Sequence, residues 1–191
     1  METQAVTPKH YNYFFLDRDG VINKNAFVNS LDEFEFIDGS LEAFRYLKGT
    51  RCDAFIVTNQ GGIEAGYITE STLLEIHKEM LHAIQEIGGW VRGIYYCPHL
   101  REACECRKPK PGLIEKAIKA YYLRFKKQHC CLIGDYITDW QAAKAAGIQP
   151  IAVKTGRYAE PDVAEYVEAQ GIPLFPNLLH AVEALADPIP F

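Results

Sequence analysis

The chain has no excess of positive charge: 20 Lys and Arg face 25 Asp and Glu, a net charge of −5. A nucleic-acid groove or an anionic membrane surface therefore has no general electrostatic basis. No apolar run approaches the roughly 18 residues needed to cross a bilayer, so no membrane partner is expected. The first ten residues are polar and lack the basic and apolar regions of a signal peptide, which makes the cytoplasm the expected location. Familiar catalytic signatures are missing as well. There is no Gly-x-Ser-x-Gly elbow and no His-Glu-x-x-His pair. Residues 61–66 have the glycine spacing of a P-loop, but Tyr67 and Ile68 stand where Lys and Ser/Thr are required. What is present is an ordinary globular composition, 48% hydrophobic and 24% charged. At 191 residues the chain is expected to form one medium domain, 1–191.

Six cysteines are available, but their placement does not suggest disulfides. Cys52, Cys130 and Cys131 lie in or near apolar, strand-like runs. Cys97, Cys104 and Cys106 crowd beside His99. Clustered thiols and an imidazole in an intracellular enzyme read better as metal ligands than as bridges. Three thiols and one imidazole match a closed tetrahedral zinc site, which wants four N/S ligands and keeps no open position. The bland alternative is a surface loop with incidental cysteines.

Apolar runs and helical periods alternate. The runs 13–16, 54–57, 91–96, 130–133 and 150–153 read as short strands. Helices are expected over 40–48 with Ser40 as N-cap, 69–87 closed by Gly88-Gly89, and 112–125. Further helices are expected from a Thr138 cap to Gly147, over 162–169, and from an Asn177 cap to residue 186. This order implies an α/β fold with a mainly parallel sheet, whose ligands bind beyond the carboxyl ends of the strands. The clusters at Asp17, Thr58 and Asp135 all sit at such ends.

Asp17 and Asp19 flank Arg18 just past the first strand. Two carboxylates in one turn can divide a hydrolysis into two easier steps, one attacking while the other moves protons. A lone Asp-x-Asp is more often a loop with solvated acids. Here, however, Thr58 and Asn59 offer donors for phosphoryl oxygens, and Lys108 can neutralise developing charge. Asp135 and Asp139 add carboxylates suited to a hard cation. Phosphoryl transfer needs chiefly positioning and electrostatic stabilisation, which such a set supplies.

In order, the segments LDRDGVIN, VTNQ, RKP and IGDYITD resemble the four motifs of the haloacid-dehalogenase (HAD) superfamily, over roughly residues 13–155. The resemblance implies a Rossmann-like three-layer α/β fold with no large cap domain. It implies Asp17 as nucleophile, Asp19 as general acid/base, and Thr58 and Lys108 as phosphoryl holders. Magnesium would be bound by Asp17, the Asp19 carbonyl and Asp135, with Asp139 ordering the site.

The zinc-loop pattern CPH…CxCRKP, beside DRDGVIN and FEFIDG, is similar to the D-glycero-D-manno-heptose 1,7-bisphosphate 7-phosphatases and the related histidinol-phosphate phosphatases. By that likeness Asn25, Ala26, Phe27 and Val28 line a sugar pocket. Asn59, Gln60, Gly61, Arg107 and Tyr136 are further substrate-side candidates. Ala65 and Tyr136 stand where relatives often carry cations, which weakens the case for a bisphosphate.

The expected enzyme is thus a magnesium-dependent, zinc-containing, monomeric phosphatase acting through an aspartyl-phosphate on a small phosphorylated sugar. A histidinol-phosphate or other small-monoester phosphatase is the alternative. A nucleic-acid end phosphatase or a non-enzymatic zinc-stabilised binding protein ranks lower. His77 and His82 are expected on the surface of the long helix, and Trp140 is expected to pack.

Overall fold

The computed structural model describes residues 10–24, 27–100 and 104–186. Six strands form one all-parallel sheet in the order β3-β2-β1-β4-β5-β6. They are β1 (Tyr13–Leu16), β2 (Asp53–Asn59), β3 (Gly93–Cys97), β4 (Cys130–Gly134), β5 (Gln149–Val153) and β6 (Leu174–Phe175). The helices are α1 (Ser40–Gly49), α2 (Glu70–Glu86), α3 (Gly112–Ala120), α4 (Ile137–Ala146), α5 (Pro161–Gln170) and α6 (Leu178–Leu185).

Successive strand residues face opposite sides, so near-continuous apolar runs feed two cores. Phe14, Leu16, Ala54, Ile56, Cys131, Ile133, Ile151 and Val153 pack with α1, α6 and the Met80 and Ile84 side of α2. Phe15, Phe55, Val57, Cys130 and Leu132 pack the other way, against α3 and α4. Three layers result, as the α/β reading requires. Cys52, Cys130 and Cys131 are buried and unbridged, and Trp140 is fully buried with its Nε1–H donated to the Ile151 carbonyl at 3.0 Å. Among the described residues, the segment from β1 to α1 holds only turns and one short 3₁₀ helix, Leu31–Glu33, and that from β2 to α2 only turns, so neither adds a layer.

Several boundaries differ from the sequence expectation. Gly39, not Ser40, is the N-cap of α1; its φ of 85° is a left-handed conformation suited to glycine. Ser40 is the first helical residue, and its hydroxyl instead donates to the Ile22 carbonyl at 3.0 Å. The helix expected over 112–125 ends at Ala120, because Tyr122 turns left-handed (φ 56°) and a 3₁₀ stretch, Leu123–His129, follows. The cap position of α4 belongs to Tyr136, two residues before Thr138. Asn177 caps its helix as expected, accepting from the His180 N–H, and Thr69, expected as the first residue of α2, is its N-cap and accepts from the Thr72 N–H.

Candidate active site

Because β1 is central, the turn that follows it lies between the tips of β2 and β4. A cavity of about 680 Å³ opens there, lined by Asp17, Asp19, Thr58, Lys108, Asp135 and Asp139, with Arg107, Tyr136, Phe27, Arg157 and Glu160 around them.

Lys108 organises the floor. It is buried, and its Nζ meets Asp17 Oδ1 at 2.9 Å, Asp139 Oδ1 at 2.6 Å and the Val57 carbonyl at 2.9 Å. Burial alone would favour the neutral amine, but Asp139 and Asp17 outweigh it and hold the ammonium well above its ordinary range. The Asn59 amide fixes the Lys108 backbone from both sides: its Oδ1 accepts from the Lys108 N–H and its Nδ2 donates to the Lys108 carbonyl, each at 3.0 Å. Asn59 lines the cavity, yet its amide is spent on holding Lys108.

The acids are crowded. Oxygens of Asp17, Asp135 and Asp139 lie within 4.8 Å of one another, against the single Lys108 ammonium. Asp139 Oδ2 accepts from the Tyr136 N–H at 3.2 Å, so both of its oxygens are engaged. Asp135 Oδ2 accepts only the Arg157 backbone N–H, at 2.8 Å, and Asp135 forms no ion pair among the described residues. Burial, then the Asp139 and Asp17 charges, push Asp135 up to about 8. Burial pushes Asp139 to about 6, with Lys108 opposing. Two glycines make the Asp135 position possible: a Cβ on Gly20 or on Gly156 would fall 2.2 Å or 2.1 Å from Asp135 Oδ2. The uncompensated negative charge and the all-oxygen donor set fit a hard divalent cation such as magnesium.

Asp19 is held by side chains. Arg18 donates to it through Nε (3.1 Å) and Nη2 (2.9 and 3.1 Å), Asn23 Nδ2 donates at 3.0 Å, and Gln60 Nε2 at 2.8 Å. Burial still raises its carboxyl above the ordinary range, with the Arg18 charge working against the shift. Gln60 also donates to Thr58 Oγ1 at 2.9 Å, so its amide faces the acids.

Cys97, His99, Cys104 and Cys106 come together as a second cluster. The three Sγ–Sγ distances are 3.1, 3.3 and 3.5 Å, and His99 Nδ1 lies 3.4 Å from both Cys97 and Cys106. These separations are far beyond the roughly 2.05 Å of a disulfide. They approach the edge, about 3.7 Å, of a tetrahedron built on metal–sulfur bonds of about 2.3 Å. The Arg107 N–H donates to Cys104 Sγ at 3.3 Å, and Arg107 Nη1 donates to the His99 carbonyl at 2.8 Å. The cluster and the cavity therefore share one residue. Glu64 braces the same loop by accepting from the Leu100 N–H.

Phe27 projects from the rim, 80% exposed, and lines both this cavity and a neighbouring one. That second cavity is also lined by Val28, Asn59, Gln60, Gly61, Ala65 and Arg107. Asn25 and Ala26 lie outside the described residues. Sequence reasoning missed Arg157. Its guanidinium stacks on Tyr136, 3.4 Å from the ring centroid, and pairs with Glu160 through Nε (2.7 Å) and Nη2 (2.9 Å). A cation thus sits over the ring that stands where one had been expected to be lost. The sequence signal was faint: Arg157 lies four residues beyond the end of β5, in a 3₁₀ turn, and not directly at a strand tip as Asp17 and Asp135 do. His77 is corrected as well. It is buried, with Nε2 3.2 Å from Arg18 Nη1.

Comparison with known proteins decides the family. Residues 105–181 match the HAD-hydrolase-like family. The chain is 41% identical over 152 residues to the D-glycero-beta-D-manno-heptose-1,7-bisphosphate 7-phosphatase of Pasteurella multocida, covering 75% of this chain and 82% of that one. The chain belongs to the heptose bisphosphate phosphatase family of HAD hydrolases. Another member of this phosphatase family, from Escherichia coli K12, is 38% identical over 78% of this chain and 82% of its own. Among solved structures, the D,D-heptose 1,7-bisphosphate phosphatase from B. bronchiseptica, complexed with magnesium and phosphate, superimposes with a TM-score of 0.80. That likeness has 34% identity and covers 90% of this chain and 96% of that one.

Proposed function

We propose that the protein removes the 7-phosphate of D-glycero-β-D-manno-heptose 1,7-bisphosphate through an aspartyl-phosphate on Asp17. One observation carries the reading: a cavity with a carboxylate cluster and a buried ammonium at its floor has two arginines, Arg107 and Arg157, among its lining residues. The floor suits transfer of one phosphoryl group, and the arginines suit recognition of a second. The names of the relatives supply the sugar.

In the first half-reaction an Asp17 oxygen forms a bond to phosphorus as the bond to the sugar oxygen breaks. Asp19 delivers its proton to that departing oxygen. In the second, Asp19 takes a proton from the attacking water, the Asp17–phosphorus bond breaks, and inorganic phosphate and the free carboxylate remain. Lys108 and Thr58 face the phosphoryl oxygens and offset charge as it develops. Asp17, Asp135 and the Asp19 carbonyl would hold magnesium, which, when bound, offsets phosphoryl charge and helps fix the transferring group. Asp139 acts by keeping Lys108 in place, since both its oxygens are already engaged.

Arg107 and Arg157 set the test. A planar fork can grip a phosphate bidentately. Arg107→Ala and Arg157→Ala should each lower kcat/KM for the bisphosphate by about 1.5–3 kcal/mol, the range for a lost charge-assisted hydrogen bond. 4-Nitrophenyl phosphate, which lacks a second phosphate, should lose little. Equal losses on both substrates would show that the arginines do not read the remote phosphate. No preference of the wild type for the bisphosphate over histidinol phosphate would overturn the substrate itself.

The Cys/His cluster is proposed to hold one structural zinc per chain. Elemental analysis of protein purified without added metal should find it. Cys104→Ser should lose the metal and lower the melting temperature, because a structural site couples metal binding to ordering of its loop. Wild-type protein stripped of metal that melts at the same temperature would refute the role.

A further inference from the structure

The residue between the two acids of the first motif has no role in the chemistry above, and it is among the most deeply placed charges in the protein. Arg18 is fully buried. Nε and Nη2 of its guanidinium are spent on Asp19. The remaining corner, Nη1, points at Nε2 of His77, 3.2 Å away, on a helix 59 residues further along the chain.

Three features make this imidazole a matched acceptor. It is 4% exposed, so water cannot readily replace it. Burial, and then the adjacent Arg18 charge, depress its pKa to about 3, so it is neutral and Nε2 can accept while Nδ1 carries the proton. Its ring meets the Tyr96 ring edge-on, with centroids 5.9 Å apart, and the Tyr96 hydroxyl returns to Glu70 at the start of the same helix. A buried histidine that only filled space would not need to present its lone pair to a guanidinium.

The geometry points to His77 as a positioning residue for the general acid/base: from α2 it fixes the Arg18 fork, and the fork fixes the Asp19 carboxylate. The inference rests on the reading of Asp19 as acid/base, and the experiment separates the two. A fork anchored only to Asp19 could rotate with it. Anchored at its third corner, it gives the carboxylate one orientation toward the departing oxygen. Displacements of about 1 Å at a reacting group can cost on the order of 100-fold in rate.

The test compares single-turnover release of phenol from phenyl phosphate with release of 4-nitrophenol from 4-nitrophenyl phosphate, enzyme in excess. In both, Asp17 forms its bond to phosphorus as the ester oxygen leaves. Phenoxide needs the Asp19 proton far more than the stable nitrophenolate does. Asp19→Asn, the reference, should therefore slow phenyl phosphate much more than the nitrophenyl ester. His77→Leu should show the same selectivity, with phenyl phosphate slowed by about 10- to 100-fold and the nitrophenyl ester by less than about threefold. His77→Gln, whose amide oxygen can stand in for Nε2, should restore the wild-type ratio, while the shorter His77→Asn should not. This Gln–Asn pair decides the matter if the leucine variant does not fold. If Asp19→Asn shows no selectivity, the acid/base reading fails. If it does but the His77 variants slow both esters equally or neither, the positioning role is overturned.

Discussion

Asp17→Asn is expected to abolish turnover, by a factor on the order of 10⁴ or more, while the protein stays folded. An amide oxygen can still accept from the Lys108 ammonium and the Arg18 N–H, the two contacts that Asp17 Oδ1 makes. It cannot attack phosphorus with comparable nucleophilicity. Stability should hold or rise, since one of three crowded carboxylates loses its charge while Lys108 keeps Asp139 at 2.6 Å and the Val57 carbonyl at 2.9 Å. The check is kcat/KM beside a thermal melt. Mass spectrometry adds a covalent readout: Asp19→Asn given 4-nitrophenyl phosphate should carry one phosphoryl group on the peptide containing Asp17. Retention of more than about a tenth of wild-type activity by Asp17→Asn would remove it from the nucleophile's role.

Lys108→Met should damage both activity and stability. The substitution keeps much of the volume and deletes the charge that two carboxylates share. Breaking a buried pair by removing one partner costs about 3–5 kcal/mol, because the remaining charge is stranded. Here Asp139, fully buried, is stranded beside Asp135 and Asp17. Loss of a preorganised cation facing the phosphoryl group should lower kcat by about 10²–10³ as well. The melting temperature of the variant should rise more steeply with magnesium concentration than that of the wild type, since a bound cation replaces part of the missing charge. A variant as stable as the wild type without magnesium would mean that the acids are neutral before Lys108 is removed.

The strand tips were legible because each apolar run stops abruptly at a polar residue: Leu16 at Asp17, Val57 at Thr58, Ile133 and Gly134 at Asp135. The Asn177 cap was legible because Asn is a favoured N-cap residue and stands immediately ahead of a helical period. Tyr122 gave no such signal, since a left-handed conformation is uncommon for a residue other than glycine and no local residue preference announces it. His77 was misplaced for a related reason. Nothing around it on α2 announces a partner, and that partner, Arg18, is supplied by a turn 59 residues earlier in the chain. Arg157 was overlooked although β5 itself was read, because its link to the site is a backbone N–H to Asp135 and a face-on contact with Tyr136, neither of which a residue pattern encodes.

The central place of β1 also bears on how the chain is made. Its neighbours are β2 on one side and β4 on the other, so from the time residue 59 emerges until residue 130 follows, one edge of the strand has no partner. That edge belongs to Tyr-Phe-Phe-Leu, a segment with the aromatic content and lack of charge that favour pairing with another chain. Immediately after it come Asp17, Arg18 and Asp19, three charges in a row. During synthesis, before Lys108 and Asp135 exist to give these residues a chemical purpose, they stand as charged gatekeepers at the end of an adhesive strand.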